Sequence, residues 1–435
     1  MTIQYRPQPG PDDATDKKIE PILADFPAPV QPLLRSAWQG LPAMTQQDIL
    51  SLLPVLPHTP GKLRRLIELA HIQMQMAVGS KQHVAIVGPA NVGKSTLYNK
   101  LIRSKHDLAE VSAVPGTTRS NQTADAGLFA VIDTPGADAV GPVGDKEREM
   151  ALAAAQAADF LIIMFDAVQG IKRSEQALFN ELNALQKPYI VILNKMDLVG
   201  RESDRVIAQA ADNLGLAPQA IVPLAAERGQ NLEQVILAIV KAEPQLVAAL
   251  GQALPAYRWQ LAWRSITGAA STAAVVALTP LPLLDFVPLS VLQIALVTGI
   301  ARTYNYKITL GRLRELAGVL GAGFLGRTLF QQLSKLGGPP GWVVSAAVAA
   351  GTTVIIGYTA ALWFDRGERL SRETLQQTTR LVSDTLMTSL KEMGRRRPSP
   401  RQLREQIQES LSRLSLELSK RPSQAAKPGG NAQDE

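Results

Sequence analysis

The chain has 435 residues, of which 46% are hydrophobic and only 19% are charged, and its formal net charge is +7. This length predicts about two or three domains, and the charged fraction lies below the value of roughly a quarter that is typical of soluble proteins. The lack of cysteine excludes disulfides, thiolate metal sites and cysteine nucleophiles. The four histidines are scattered and do not have the spacing of a metal site.

The N-terminal region, residues 1–79, begins with a polar, proline-containing stretch that we expect to be disordered. It lacks the apolar segment of a signal peptide. Short segments punctuated by proline follow, and Thr59-Pro60 then opens a stronger amphipathic helix, with Thr as N-cap and Pro at the first helical position. We expect this helix to pack on one of the domains that follow it, and the alternative is a helix that binds a partner.

A glycine-rich stretch, residues 88–95, reads Gly-Pro-Ala-Asn-Val-Gly-Lys-Ser and matches the pattern G-x-x-x-x-G-K-[ST]. It lies between an apolar run typical of a buried strand and a helical segment, where such a loop holds phosphate on its backbone N–H groups. In that role Lys94 is a catalytic residue that reaches the β- and γ-phosphates, and the Ser95 hydroxyl is a ligand of Mg²⁺. The predicted nucleotide contacts of the loop are Asn91, Val92, Gly93, Lys94, Ser95 and Thr96.

A second motif, Asp133-Thr134-Pro135-Gly136, follows another apolar run. A carboxylate at the end of that strand is suited to the Mg²⁺ shell, so Asp133 is a predicted metal residue, and the N–H of Gly136 is expected to face the γ-phosphate. The polar segment 112–121 predicts a mobile loop. In it Thr118, rather than Thr117, is expected to complete the Mg²⁺ shell while a γ-phosphate is present, which makes it the second predicted catalytic residue.

The third motif, Asn194-Lys195-Met196-Asp197, follows a further apolar run. Asp197 can accept hydrogen bonds from N1–H and the exocyclic amine of guanine, a donor pair that adenine lacks. Lys195 can lie along the base, and Asn194 can tie this loop to the phosphate loop. The motif therefore predicts a site for a guanine nucleotide.

Apolar runs alternate with helical patterns over residues 80–243, which we call the nucleotide domain. The alternation predicts an α/β fold with a mostly parallel sheet flanked by helices. All three motifs follow predicted strands, and ligands bind at the carboxyl ends of the strands in open α/β sheets. The sequence therefore predicts a domain that binds GTP and GDP together with Mg²⁺.

These motifs resemble those of the Era/TrmE/Der class of bacterial GTPases over about residues 81–242. The resemblance implies a P-loop GTPase fold and, from Asn91, a K⁺ ion beside the phosphates. It also implies that the backbone N–H of Ala226 contacts guanine O6, although residues 225–227 are Ala-Ala-Glu where the class has Ser-Ala-Lys. Ala137 stands where Ras-type GTPases place a catalytic glutamine, so we expect slow intrinsic hydrolysis.

A hydrophobic block, residues 254–366, follows. Its stretch 265–301 is 37 residues long with Asp285 as the single charge, nearly twice the roughly 20 residues that one membrane-spanning helix needs. Prolines around Asp285 must break the helix, so we expect a hairpin with both basic ends on the cytoplasmic side. A second uncharged run covers residues 336–364. The alternative is a buried helical hairpin in a soluble domain.

The tail, residues 367–421, is predicted to be basic and amphipathic, with two helices separated by an Arg-rich break, and residues 422–435 are expected to be disordered. Residues 256–421 contain 21 Lys/Arg against 10 Asp/Glu, which fits anionic lipid headgroups. Ribosomal RNA is the other polyanion, although no aromatic residue is interleaved with the arginines of that break for base stacking. For the Arg triplet alone, a plain solvated linker is a further alternative. The hydrophobic block resembles the GTPase-associated hydrophobic domain of unknown function of the YcjF type.

The sequence thus predicts a GTPase that works as a switch on the cytoplasmic face of a membrane and hydrolyses GTP to GDP and phosphate. Two alternatives stay open: a soluble, cytoplasmic ribosome- or RNA-assembly GTPase with a buried interaction domain, and a dynamin-like membrane-remodelling GTPase. The expected partners are membrane lipids and a protein effector. The ribosome or RNA, and a second copy bound through the nucleotide domain, are further candidates.

Overall fold

The structure is a computed structural model that describes residues 83–103, 128–134, 152–278, 286–306, 340–367, 371–394 and 396–419, and the single positions 20, 35 and 149. The predicted N-terminal helix, the loop of Thr118, Gly136 and the proline-rich turn of Asp285 lie outside the described residues. The same holds for the segment between residues 306 and 340 and for the chain after residue 419.

The nucleotide domain contains a five-stranded sheet in the order β2-β1-β3-β4-β5, with every neighbouring pair parallel. This confirms the predicted α/β class. The strands are β1 Val84–Pro89, β2 Phe129–Thr134, β3 Phe160–Asp166, β4 Tyr189–Asn194 and β5 Ile221–Pro223. The helices of this half are α1 Lys94–Arg103, α2 Arg173–Ala184, α3 Ser203–Leu214, α4 Leu232–Ala242 and α5 Val247–Ala253.

Both faces of the central strands are buried, which explains why these strands are continuous apolar runs rather than alternating ones. In β3, for example, Phe160 and Ile162 lie in the core on one face, and Leu161 and Ile163 lie in the core on the other. The helices that cover the two faces leave the carboxyl edge of the strands to the loops. A ligand site is therefore expected at that edge.

The second half of the chain is a helical domain, defined here as α6–α10. Its helices are α6 Arg258–Ala277, α7 Phe286–Thr303, α8 Gly341–Arg366, α9 Arg372–Glu392 and α10 Pro400–Ser419. Helix α6 lies in the middle and packs against α7, α8 and α10. Small residues allow the close approach: a Cβ on Gly357 of α8 would come within 2.6 Å of Ile266 Cγ1 on α6.

The tail is part of this domain rather than an appendage to it. Its predicted apolar face is buried in the same core cluster as α6 and α8, and the indole N–H of Trp263 donates to the carbonyl of Leu411 at 3.2 Å. The leucine-rich face of α10 is thus covered by the chain itself. The buried residues of that face are Leu403, Ile407, Leu411, Leu414 and Leu418.

Helix α5 joins the two halves, in a segment that the sequence analysis leaves between domains. Val247 and Leu250 of α5 lie in the core of the nucleotide domain, whereas Gly251 packs against Thr303 at the end of α7. The side-chain amide of Gln252 donates to the carbonyl of Arg302 at 3.0 Å. The nucleotide domain and the helical domain therefore share a packed junction, not a flexible linker.

Among the described helices, α8 alone is long and apolar enough to cross a bilayer, and 78% of its most apolar stretch is buried inside the fold. Helices α6 and α7, the two arms of the predicted hairpin, do not meet that test. Helices α4 and α5 meet it only as a pair bent by 118°.

Candidate nucleotide-binding site

The phosphate loop connects β1 to α1 at the carboxyl edge of the sheet. Asn91 has a φ of 62° and Gly93 a φ of 98°, so the chain turns twice through the left-handed region before α1 begins at Lys94. A Cβ on Gly93 would collide with the side-chain amide of Asn194. Glycine is required there both for its backbone conformation and for the close approach of β4.

Lys94 lies folded over this loop with its side chain almost wholly buried. Its ammonium donates to the carbonyl oxygens of Gly88 at 2.7 Å and Pro89 at 2.5 Å. The positive charge is thus held at the mouth of the turn, beside the N-terminus of α1, and a phosphate there would meet both. Ser95 is exposed in the first turn of α1 and Thr96 beside it is half-buried.

The second motif enters the site through the sheet. Strand β2 pairs with β1 in a register that places Asp133 next to Gly88, the residue at which the phosphate loop opens. The structure describes the backbone of Asp133 but not its side chain, and Thr118 and Gly136 lie outside the described residues. The backbone alone therefore brings Asp133 to the phosphate loop.

Asn194, the last residue of β4, connects three loops. Its side-chain amide donates to the carbonyl of Val92 in the phosphate loop at 2.8 Å, and its side-chain oxygen accepts from the backbone N–H of Ala226 at 2.9 Å. The side chain is buried, so neither bond competes with bulk water. The N–H of Ala226, which the sequence assigns to guanine O6, is in this structure donated to Asn194, and the O6 contact stays a prediction.

Lys195 follows in the left-handed region, with a φ of 65°. Its ammonium lies 2.7 Å from Oδ2 of Asp166, the buried carboxylate that ends the neighbouring strand β3. The other oxygen of Asp166 accepts the backbone N–H of Val168 at 2.8 Å. Asp166 thus fixes its own turn and the direction of Lys195 at the same time.

Asp197, the predicted reader of guanine, lies in the short 3₁₀ turn that follows β4. Its side chain is 12% exposed, and its Oδ2 lies 2.9 Å from Nε of Arg228. Arg228 comes from the loop after β5, two residues beyond Ala226. The loops after β4 and β5 therefore meet through an ion pair as well as through Asn194.

The residues fit a nucleotide with Mg²⁺. The described residues contain no cluster of three or more His, Asp or Glu side chains that could hold a metal alone. Mg²⁺ in such sites takes one or two protein ligands and completes its shell with phosphate oxygens and water. The Ser95 hydroxyl supplies a suitable oxygen, and Thr118 and Asp133 are the predicted additions.

Sequence reasoning missed the roles of Asp166 and Arg228. Asp166 could have been found because it ends the strand beside β4, and the parallel register places it next to Asn194. Arg228 carries no comparable signal, because the pairing depends on how the loop after β5 turns back.

Comparison with known proteins agrees with this geometry. Residues 83–195 match the family described as 50S ribosome-binding GTPase, and residues 245–391 match a domain of unknown function, DUF697. The chain therefore carries a GTPase domain of that family followed by the hydrophobic domain, as the two resemblances predict.

The curated relatives are similar to this chain over about a third of its length. GTPase Der of Agrobacterium fabrum is 37% identical over 165 residues, which cover 37% of this chain and 33% of that protein. GTPase Der of Rhizobium meliloti is 38% identical with the same coverage. The chain thus spans about a third of the length of the curated relatives it matches. A solved structure of an Era variant from Aquifex aeolicus bound to GDP·AlF4⁻ is 27% identical, with a TM-score of 0.28, over 46% of this chain and 68% of that one.

Proposed function

We propose that the chain is a molecular switch that binds GTP, hydrolyses it to GDP and phosphate, and works on the cytoplasmic face of a membrane. The observation that carries the nucleotide part is the double hydrogen bond of Asn194, which joins the phosphate loop to the loop after β5. Lys94 and Asp197 lie in the segments that follow β1 and β4, at the same edge of the sheet. The base and the triphosphate of one nucleotide can therefore be bound by loops that are hydrogen-bonded to each other.

The residues divide the chemistry among them. Lys94 neutralises charge on the transferred phosphoryl group. Mg²⁺, when bound through Ser95, Thr118 and Asp133, would neutralise charge on the β- and γ-phosphates. Ala137 cannot orient water as a glutamine would, so intrinsic hydrolysis is expected to be slow. A K⁺ ion beside Asn91 would offset part of the remaining charge, and equal turnover in K⁺ and Na⁺ at matched ionic strength would rule this out.

The choice of guanine is tested at Asp197. Asp197→Asn replaces two acceptors by one acceptor and one donor, so GDP binding should fall and xanthine nucleotides should be preferred. The measurement is competition of GDP, XDP and ADP for the unmodified protein and the variant. Equal binding of ADP and GDP by the unmodified protein would contradict guanine recognition.

The membrane part of the proposal is supported by α8 and by the basic excess of the second half. Helix α8 has 26 residues and carries its charges only at its end, Asp365 and Arg366. Its N-terminal half leaves Val344 and Val348 only partly covered by the rest of the domain. These side chains can contact lipid while the other face of α8 packs on α6.

Val348 gives a sharper test than positions in α6. Val275 and Val276 are buried in the domain core, so a charge there would disrupt a soluble domain as much as an embedded one. Val348→Arg should lower the carbonate-resistant membrane fraction, because a charge within the bilayer costs about 2.5 to 3.5 kcal/mol. Val348→Leu is the matched control. Release of the unmodified protein by carbonate would contradict insertion.

The second candidate function is a soluble GTPase that acts on the ribosome or its RNA. The family description names 50S ribosome binding, and the burial of α6 beneath α7, α8 and α10 suits a soluble interaction domain. This candidate predicts that high salt releases the protein from membranes and that it cosediments with ribosomal subunits. Hydrolysis that rises cooperatively on liposomes would instead favour the dynamin-like alternative.

A further inference from the structure

Arg228 forms an ion pair with Asp197, the carboxylate that is expected to recognise the guanine base. Its Nε lies 2.9 Å from Oδ2 of Asp197, and the two side chains are 60% and 12% exposed, respectively. The contact therefore joins a solvent-exposed guanidinium to a carboxylate that is nearly covered. Asp197 has Arg228 as its one cationic partner among the ion pairs of the described residues.

The loop that carries Arg228 is well fixed. Ala225 and Gln230 form an antiparallel bridge, with their backbone N–H and C=O groups paired at 3.2 and 3.3 Å. Gly229 closes the turn with a φ of 70°. The backbone of Arg228 is thereby held beside Asp197, while the exposed side chain can rotate away without moving the loop.

The chemistry of the two candidate partners of Asp197 is alike. A guanidinium presents adjacent N–H donors to a carboxylate, and the N1–H and exocyclic amine of guanine present the same kind of pair. Recognition of guanine through both oxygens of Asp197 requires Oδ2, which Arg228 holds. A carboxylate oxygen can accept more than one donor, so the guanidinium and the base compete for Oδ2 through the approach of their donors and through charge.

We propose that Arg228 is an intramolecular competitor of the guanine base, which must leave Asp197 before the nucleotide is captured. This inference rests on the proposed recognition of guanine by Asp197. The ammonium of Lys195 is paired instead with Asp166, at 2.7 Å. The fraction of molecules whose Asp197 is open to the base sets the apparent association rate.

The effect should be modest, since an ion pair with one exposed partner is weak. Arg228→Ala should raise the association rate of a fluorescent GDP analogue about two- to fivefold and leave its dissociation rate unchanged. The gain should shrink between low and high salt, because salt screens the pair in the unmodified protein. Arg228→Lys, which keeps the charge, should stay close to the unmodified protein.

Two controls separate competition from a structural effect. Arg205→Ala removes another exposed arginine, 80% exposed with only a 4.0 Å contact to Glu202, and should change nothing. In an Asp197→Asn background the charged pair is gone, so Arg228→Ala should no longer raise the association rate of a xanthine nucleotide.

The outcomes are distinguishable. If GDP associates with the Arg228→Ala protein at the same rate or more slowly, Arg228 does not compete with the base. That result would overturn this inference but leave the proposed guanine binding intact. Failure of the unmodified protein to bind GDP would overturn the proposed function, and this inference with it.

Discussion

The nucleotide domain and the helical domain use their buried polar side chains in different ways. In the nucleotide domain Asn194 bonds to Val92, 102 residues away, and to Ala226, 32 residues away. In the helical domain the hydroxyls of Ser271 and Thr353 donate to carbonyls four residues earlier in their own helices. Asn194 thus joins distant loops, whereas these two hydroxyls bond within their own helices.

This difference explains where each domain can carry function. Long-range polar bonds hold loops in a fixed relation, which creates a site at the edge of the sheet. Local bonds such as those of Ser271 and Thr353 satisfy a hydroxyl within its own helix, so the contact between α6 and α8 can be made by close packing of small and apolar side chains. The nucleotide domain should therefore respond to loss of single polar groups, and the helical domain to changes in packing.

The largest expected effect comes from Lys94. Lys94→Ala removes the charge that faces the phosphates, and loss of one such group from a preorganised site costs about 10²- to 10³-fold in rate. The measurement is phosphate release at saturating GTP and Mg²⁺. Lys100→Ala, in the same helix, is the matched control. A loss below tenfold would show that Lys94 is not the main source of stabilisation.

The motifs of the nucleotide domain could be placed from sequence because strand, loop and helix follow one another within a few residues. The pattern around Lys94 and the run before Asn194 therefore predicted both the fold and the edge of the sheet. The pairing of Asp197 with Arg228 could not be predicted in this way, because it depends on the turn of one loop towards another. Contacts between loops have no period in the sequence.

In the helical domain the sequence predicted the helices but not what their apolar faces contact. Its apolar runs predicted helices, and α7 and α8 begin within six residues of the breaks at the prolines before them. The sequence did not reveal that the apolar face of α10 covers α6, because an amphipathic helix has the same pattern against lipid, a partner or its own domain. The sequence pattern alone could not show whether this face contacts lipid, a partner or the rest of the domain.

The next effect in size tests whether the two domains are one unit. A Cβ at Gly251 would lie 2.6 Å from the carbonyl oxygen of Thr303, so Gly251→Ala must push α5 away from α7. Overpacking of this kind typically costs about 1 to 3 kcal/mol of unfolding free energy. Gly341→Ala is the control, because a Cβ there meets no atom within 4 Å.

Tryptophan fluorescence can follow this change. Four of the five tryptophans lie in the helical domain: Trp259, Trp263, Trp342 and Trp363. In the unmodified protein a guanine nucleotide should raise the urea midpoint of the tryptophan signal, because α5 couples the two cores. Gly251→Ala should lower the midpoint and reduce this gain. If the nucleotide does not change the urea midpoint of the tryptophan signal in the unmodified protein, the junction does not couple the domains.

The smallest expected effect concerns Asp166, which acts on the base only through Lys195. Asp166→Asn keeps the size of the side chain and an acceptor for the N–H of Val168 but removes the charge that holds the ammonium at 2.7 Å. Lys195 should then sample other directions, and GDP affinity should fall about fivefold, the equivalent of roughly 1 kcal/mol. Because Asp166 lies on the base side of the site, kcat at saturating GTP should stay unchanged while KM rises. Asp204→Asn, an exposed carboxylate at the start of α3, is the control, and a fall in kcat with an unaltered KM would mean that Asp166 acts on the phosphate side instead.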